Sequence, residues 1–336
     1  MILQAIAESE KMIKDADIPA LQEEFISFID DYIAQSPGRV WLTNETDDPG
    51  TTATEINPTP ENRRYVIIGD LHCDLDALKG IMLKLSVEGY DYFNKAVFIF
   101  MGDYLDRGFK PYQTLRLLFR LKQILGPRCI FLKGNHDGFY FDRAREIFYP
   151  SVYPANTIER MFHDFEPATM EKFKMFFDHL PYFVLARVKE KRYFITHGGI
   201  PRDCYMDQVT PARLEKLRLP FSSSRSRQSK VYKALESLTW GDPVDTGFIS
   251  YQGDVRFEFG LVQFERFRQS FGFTHLIRGH EPQKTGFQSC FYDQVYTIFS
   301  TGGKTNKTSY YANIVPEPAF GIIDEEGTLR AESIFN

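Results

Sequence analysis

The sequence predicts an α/β fold of packed sheets held between helices. Three observations predict it. From Arg64 onward, short apolar runs of strand length alternate with segments of helical period. Toward the C-terminus the strands come as a hairpin instead. Finally, strand after strand ends in a glycine-bearing turn that carries Asp, Asn or His.

The elements follow in chain order. Residues 3–34 are helical in period. Leu3, Ile6 and Ala7 share one face; after Pro19, Leu21, Phe25, Phe28, Ile29 and Ile33 share another. Residues 44–62, rich in Thr, Pro, Asp and Asn, predict a long surface loop wrapping the body. Residues 1–62 thus read as packing helices and a wrapping loop, and residues 63–336 as the main domain. Strands are predicted at Tyr65–Ile68, Ala96–Phe100, Cys129–Leu132, Tyr193–Thr196, His275–Ile277 and Val295–Phe299. Helices are predicted over 74–86, 111–125, 157–164, 168–179 and 260–271. Gly321–Ile323 and Thr328–Leu329, joined through Glu326-Gly327, read as a hairpin.

Composition narrows the function classes. With 31 Phe and 18 Tyr in 336 residues, a large core can be built. The net charge of −5 is not the footprint of a nucleic-acid binder. The basic run Ser222–Lys230 reads as a solvated loop. No apolar run approaches the ~18 residues of a membrane span, and the N-terminus does not read as a secretory signal. The cysteines at 73, 129, 204 and 290 form no CxxC pair and read as reduced thiols of a cytoplasmic protein.

The turns carry the chemistry. Tyr65–Ile68 runs into Gly69-Asp70-Leu71-His72. Ala96–Phe100 leads to Gly102-Asp103-Tyr104-Leu105-Asp106-Arg107-Gly108, and Cys129–Leu132 to Gly134-Asn135-His136-Asp137. Tyr193–Thr196 is followed by His197-Gly198-Gly199, and His275–Ile277 by Arg278-Gly279-His280. In an open α/β sheet, ligands bind beyond the carboxyl ends of strands, and glycine there lets the chain bend sharply. Of seven histidines, those at 72, 136, 197 and 280 lie in these turns. Imidazole, carboxylate and amide oxygen without thiolate suit Mn, Fe or Zn. Six such ligands exceed one tetrahedral ion and suit a pair. Any one of these turns alone would be an ordinary polar turn; their recurrence at strand ends is the signal. His163 and His179 fall on helices and read as exposed or packed, and His275 as a packing residue. Cys73 and Cys129 read as buried small apolar groups, and Trp41 and Trp240 as core. Asp74 is placed to cap the helix that follows it.

These motifs, in this order, resemble the serine/threonine phosphoprotein phosphatases within the calcineurin-like metallophosphoesterases; Trp240-Gly241-Asp242-Pro243 also resembles a family segment. The likeness spans roughly residues 64–303. It implies a β-sandwich of two mixed sheets flanked by helices, with residues 63–336 as the catalytic domain. It implies two divalent ions, Mn in the first instance: Asp70 and His72 on the first, Asp103 shared, and Asn135, His197 and His280 on the second. It implies His136 as general acid oriented by Asp106, Arg107 and Asn135 as phosphate ligands, and hydrolysis of phosphoserine or phosphothreonine by in-line attack of a hydroxide between the metals. The partner so implied is a phosphoprotein or phosphopeptide; a regulatory subunit is not legible. The sequence departs from the family at several points. Asp137 stands where eukaryotic members have Glu. Arg256, before Phe257-Glu258-Phe259-Gly260, is nearest to the second phosphate arginine but out of register, with Gly253 closer to the expected place. Ser300-Thr301-Gly302-Gly303 replaces a tyrosine-bearing turn, and Pro282 replaces the second His of the Gly-His-x-His found in many wider relatives. The competing readings are a dinucleoside polyphosphate hydrolase of the same superfamily and a non-catalytic phosphate-binding scaffold.

Overall fold

The computed structural model describes residues 1–35, 41–42, 64–142, 145, 147–214, 217, 228–249, 256–307 and 309–335. The predicted 44–62 loop, Gly253, the side chain of Trp41 and residues 222–227 of the basic run lie outside the described residues.

The strands are β1 (Trp41–Leu42), β2 (Tyr65–Ile68), β3 (Val97–Phe100), β4 (Cys129–Phe131), β5 (Phe139–Asp142), β6 (Ile147–Pro150), β7 (Phe183–Val188), β8 (Lys191–Thr196), β9 (Gly241–Pro243), β10 (Phe257–Phe259), β11 (His275–Arg278), β12 (Phe287–Cys290), β13 (Val295–Ile298), β14 (Ala319–Ile323) and β15 (Leu329–Ser333). One sheet runs β15-β14-β2-β3-β4, the other β1-β7-β8-β11-β13-β12. Both are mixed. In the first, β2, β3 and β4 are parallel and β14 antiparallel to β2; in the second, β8, β11 and β13 are parallel, with β7 and β12 antiparallel to their neighbours.

Alternation along each strand builds the layers. Tyr65, Ile67, Val97, Ile99 and Ile130 face Val184, Tyr193, Ile195, Ile277 and Ile298 across the gap between the sheets. Their neighbours Val66, Ile68, Phe98 and Phe100 point the other way into a helical layer. Strands buried on both faces must read as continuous apolar runs, which is how β2 and β3 announce themselves. The second sheet covers its outer face with Phe264, Phe267 and Phe271 from the helix Leu261–Phe271, set against Phe183, Phe194 and Leu276.

The helical layer includes α1 (Ile2–Ser9), α2 (Ile18–Gln35), α3 (Leu75–Val87), α4 (Tyr92–Lys95), α5 (Pro111–Leu125), α6 (Asn156–Asp164) and α7 (Pro167–His179). The N-terminal helices pack on the body. Phe25 of α2 is fully buried, edge-on to Phe119, Phe165 and Phe173 with centroids 5.4, 6.2 and 5.6 Å away. Phe25→Ala is therefore expected to cost about 3–5 kcal/mol, read as a lower urea midpoint at unchanged m-value. A cost below about 1 kcal/mol would mean that α2 contributes little to the core.

Several elements go beyond the sequence expectations. The hairpin β5–β6 lies outside both main sheets, and its exposed Tyr140 breaks the apolar run. Strand β7 starts just after Pro181, which obscures it in the sequence. Trp240, expected in the core, is half-buried instead. It sits in the turn after the helix Lys230–Ser237 and presents its ring to His280, 5.7 Å away at 79°. His275 packs as expected, stacked between Tyr193 and Tyr296 on neighbouring parallel strands. Among the described residues no helix is long and apolar enough to cross a membrane.

Candidate functional site

The parallel strands β2, β3, β4, β8 and β11 each release their chain into one of the five turns. The turns are tied to one another by backbone groups. The His280 N–H donates to Asp70 Oδ1 at 2.8 Å, and the His136 N–H to Asp103 Oδ1 at 2.9 Å. His72, Asp103, Asp106, Arg107 and His280 all have positive φ, between 46° and 70°. Such backbone is strained for residues with a Cβ and is held only where the surroundings over-determine it. The glycines make room for carboxylates. A Cβ on Gly134 would lie 2.2 Å from Asp103 Oδ1, and one on Gly279 only 2.4 Å from Asp70 Oδ1. Gly279→Ala should accordingly displace Asp70 and, with Asp70 as one ligand of a metal held here, weaken metal retention by about 10-fold or more, read by equilibrium dialysis. Unchanged retention would show that Asp70 yields at no cost.

Two sets of side chains converge. Asp70, His72 and Asp103 form one group, and Asp103, His197 and His280 a second, so Asp103 belongs to both. Asn135 joins the second, its Oδ1 lying 2.8 Å from His197 Nε2 and 3.1 Å from His280 Nδ1. His72 gives its Nδ1–H to Leu105 O at 2.9 Å, and His197 its Nδ1–H to Met101 O at 3.0 Å. Each neutral ring therefore turns the bare Nε2 lone pair inward. Those lone pairs meet Asp103 oxygens at 3.4 Å, too long for a hydrogen bond and with no proton to form one. Asp70 Oδ2 and His280 Nε2 are buried with no hydrogen-bond partner among the described residues. Acceptors aimed at acceptors in a buried site fit divalent cations between them, and the donor set is right for such ions.

The electrostatics agree. Burial pushes Asp70 up to about 7 and, helped by the charges of Asp70 and Asp137, raises Asp103 well above the ordinary carboxyl range. Burial first, then neighbouring positive groups, holds His72, His197 and His280 well below the ordinary imidazole range. The pocket disfavours charged carboxylates on their own; a cation reverses that preference.

Beside these groups lies a third. His136 Nδ1 is 3.0 Å from Asp106 Oδ2. Asp106 is pinned by the start of α6: its Oδ1 accepts the Thr157 N–H at 3.0 Å and its own N–H reaches Thr157 Oγ1 at 3.1 Å. The Arg107 N–H donates to Asn156 Oδ1 at 2.7 Å, while its Nε is buried with no hydrogen-bond partner among the described residues. Burial pushes Asp106 up to about 7, and burial together with Arg107 pushes His136 down to about 3.

This arrangement coincides with a family match. Residues 63–284 match the calcineurin-like phosphoesterases. The chain belongs to that family. Over 274 residues the chain is 26% identical to a catalytic subunit of protein phosphatase 2A from Dictyostelium discoideum, covering 78% of this phosphoesterase and 76% of the relative. Among solved structures, a serine/threonine phosphatase of Saccharomyces cerevisiae superposes with a TM-score of 0.63 at 18% identity, over 96% of this chain and 90% of that one. A cold-active protein-tyrosine phosphatase of a Shewanella species superposes with a TM-score of 0.51 at 15% identity, over 86% and 89%. These two likenesses concern the fold: two mixed sheets flanked by helices.

The phosphoesterase site also uses residues to which the sequence reading gave no part. Asp137 accepts three backbone N–H groups, from Asp103, Tyr104 and Gly134, at 2.6–2.9 Å, and so clamps two of the turns together. Arg278, fully buried, donates to Gly198 O and Gly241 O and pairs with Asp242 and Glu281. Arg256 is held by the same two carboxylates at 2.5 and 3.2 Å, so the four charges close a ring next to His280. The guanidinium of Arg256 is thus engaged there, and no contact among the described residues joins it to Arg107 or His136. A buried arginine in an Arg-Gly-His turn was the legible hint of this ring. Tyr311, whose ring lies 5.3 Å from that of His72, had no signal in the sequence at all.

Proposed function

We propose that this phosphoesterase is a metal-dependent serine/threonine protein phosphatase acting on phosphoproteins or phosphopeptides. The observation that carries this reading is the pair of ligand groups sharing Asp103, with His136, Asp106 and Arg107 alongside. The similarity to the catalytic chain of a protein phosphatase 2A supports the substrate class. In this reading Asp70, His72 and Asp103 would hold one divalent ion, and Asp103, Asn135, His197 and His280 a second, with manganese first and iron or zinc as alternatives. Bound there, such ions supply the positive charge that lowers the pKa of water and draws charge from phosphoryl oxygens.

The chain's own groups do the rest. Arg107 offers planar donors, the unpartnered Nε among them, to two phosphoryl oxygens. Asn135, with its oxygen turned to His197 and His280, can donate from its amide nitrogen to a third. Arg256 would grip the phosphate from the Asp242 edge, which requires it to release one of its carboxylates. His136 is the proton donor. With a proton shared between Asp106 Oδ2 and His136 Nδ1, the other nitrogen, Nε2, carries its own proton outward. It passes that proton to the leaving alkoxide while Nδ1 takes up the one from Asp106.

The test sets a phosphoserine peptide beside diadenosine tetraphosphate. Metal-loaded protein is expected to release phosphate from the peptide and to stop on chelation. Hydrolysis of the dinucleotide alone would favour the polyphosphate hydrolase, and binding without turnover of either would favour the scaffold.

A further inference from the structure

The chain beyond β13 folds back over the site. It bends at Gly302 and Gly303, whose φ values are +136° and +101°. Asp74, two residues after His72, holds it there. Besides capping α3 through the Ala77 N–H, Asp74 accepts from Thr301 Oγ1 at 2.7 Å, from the Gly302 N–H at 3.2 Å, and from Asn306 Nδ2 on both oxygens at 2.8 and 2.9 Å. The Thr301 and Ser309 hydroxyls are 2.7 Å apart. Asp74, Thr301, Asn306 and Ser309 are all buried, so the fold is committed to this placement of the chain.

The anchored segment delivers two tyrosines. Tyr311 packs on His72 and, edge-on, on Phe299, with ring centroids 5.3 and 5.0 Å apart. Tyr310 stands perpendicular to Tyr311 at 5.2 Å, and its ring centroid is 5.8 Å from Arg107 Cζ. It is 52% exposed. An open aromatic ring thus borders the arginine that, in the reading above, grips the phosphoryl group. In that reading the phosphoryl group, and with it the alcohol half of the ester, would bind beside this ring.

We propose that Tyr310 is a specificity-determining residue: it receives the aromatic ring of an aryl phosphate, so that the site hydrolyses phosphotyrosine side chains as well as phosphoserine. The proposal rests on the phosphomonoesterase reading. Hydrolysis forms one bond from a water oxygen to phosphorus and breaks the ester P–O bond; the proton from His136 or from solvent ends on the phenolic oxygen. A phenol, with a pKa near 10, is a better leaving group than an alkyl alcohol, so binding is where the ring of Tyr310 acts. An offset or edge-on ring pair contributes roughly 3- to 10-fold to binding; a phosphoserine side chain offers no ring to take part.

The experiment uses two peptides of one sequence, carrying phosphotyrosine or phosphoserine, with manganese-loaded wild type, Tyr310→Ala and Tyr310→Phe. Wild type is expected to turn over both. Tyr310→Ala should lower kcat/KM for the phosphotyrosine peptide roughly 3- to 10-fold more than for the phosphoserine peptide, chiefly through KM. Tyr310→Phe, which keeps the ring, should keep the wild-type ratio. The proposal is overturned if wild type hydrolyses phosphoserine but not phosphotyrosine, or if Tyr310→Ala changes both peptides by the same factor. If wild type hydrolyses neither, the phosphomonoesterase reading itself falls and takes the proposal with it.

Discussion

Asp103→Asn is expected to abolish turnover while leaving the metal-stripped protein at least as stable as wild type. The two effects have one origin. Asp103 is the residue common to both ligand groups, its two oxygens facing His72 Nε2 and His197 Nε2 at 3.4 Å. An amide is neutral and presents an oxygen to one side only, so the His197–His280 group loses its only carboxylate and one of the two groups meets an NH₂ where it had an oxygen. The loss should exceed the ~10²-fold that outer partners of a metal ligand cost. Stability runs the other way. Asp103 is buried near Asp70 and Asp137, whose charges raise its proton affinity, and the amide relieves that repulsion while offering an N–H to a bare imidazole nitrogen. The checks are metal content by elemental analysis, phosphate release, and thermal unfolding in chelator. Retention of both metal equivalents with wild-type turnover would sink the shared-ligand assignment.

The fold was legible because its strands are buried on both faces. Tyr65–Ile68 and Val97–Phe100 leave no polar face to confuse, and each ends on a glycine-bearing turn. Of the elements that went unseen, β5–β6 belongs to neither main sheet, β9–β10 is a pair of three-residue strands, and β7, though buried, starts just after Pro181. The site was legible for a related reason. The side chains that meet in it sit just past strand ends, where local order predicts position. The supports were illegible because they arrive from afar. Thr157 reaches Asp106 across 51 positions, Asp242 reaches Arg278 across 36, and Asn306 reaches Asp74 across 232. Asp74 shows the limit of local reading. Its sequence context predicts a helix cap, which it is, but not that the same carboxylate anchors the segment carrying Tyr310 and Tyr311. The glycines had a different use as well. At Gly134 and Gly279 the room they leave is filled by the carboxylates of Asp103 and Asp70, so they serve to bring ligands together.

His136→Asn is expected to keep the metals and lose roughly 10²–10⁴ in turnover of a phosphoserine peptide. His136 is outside both ligand groups, and its backbone N–H, which holds Asp103 Oδ1, survives the substitution. In the proposed function, what disappears is the proton relay from Asp106 through the ring. The size of the loss must then follow the leaving group. A serine alkoxide cannot depart without a proton, whereas p-nitrophenolate can, so the same variant should lose far less on p-nitrophenyl phosphate. Asp106→Asn should follow the same order more weakly, since the ring remains but the proton behind it is gone. An equal loss on both esters would mean that His136 shapes the site rather than supplying a proton, and full metal loss would mean that its role is to hold Asp103 in place.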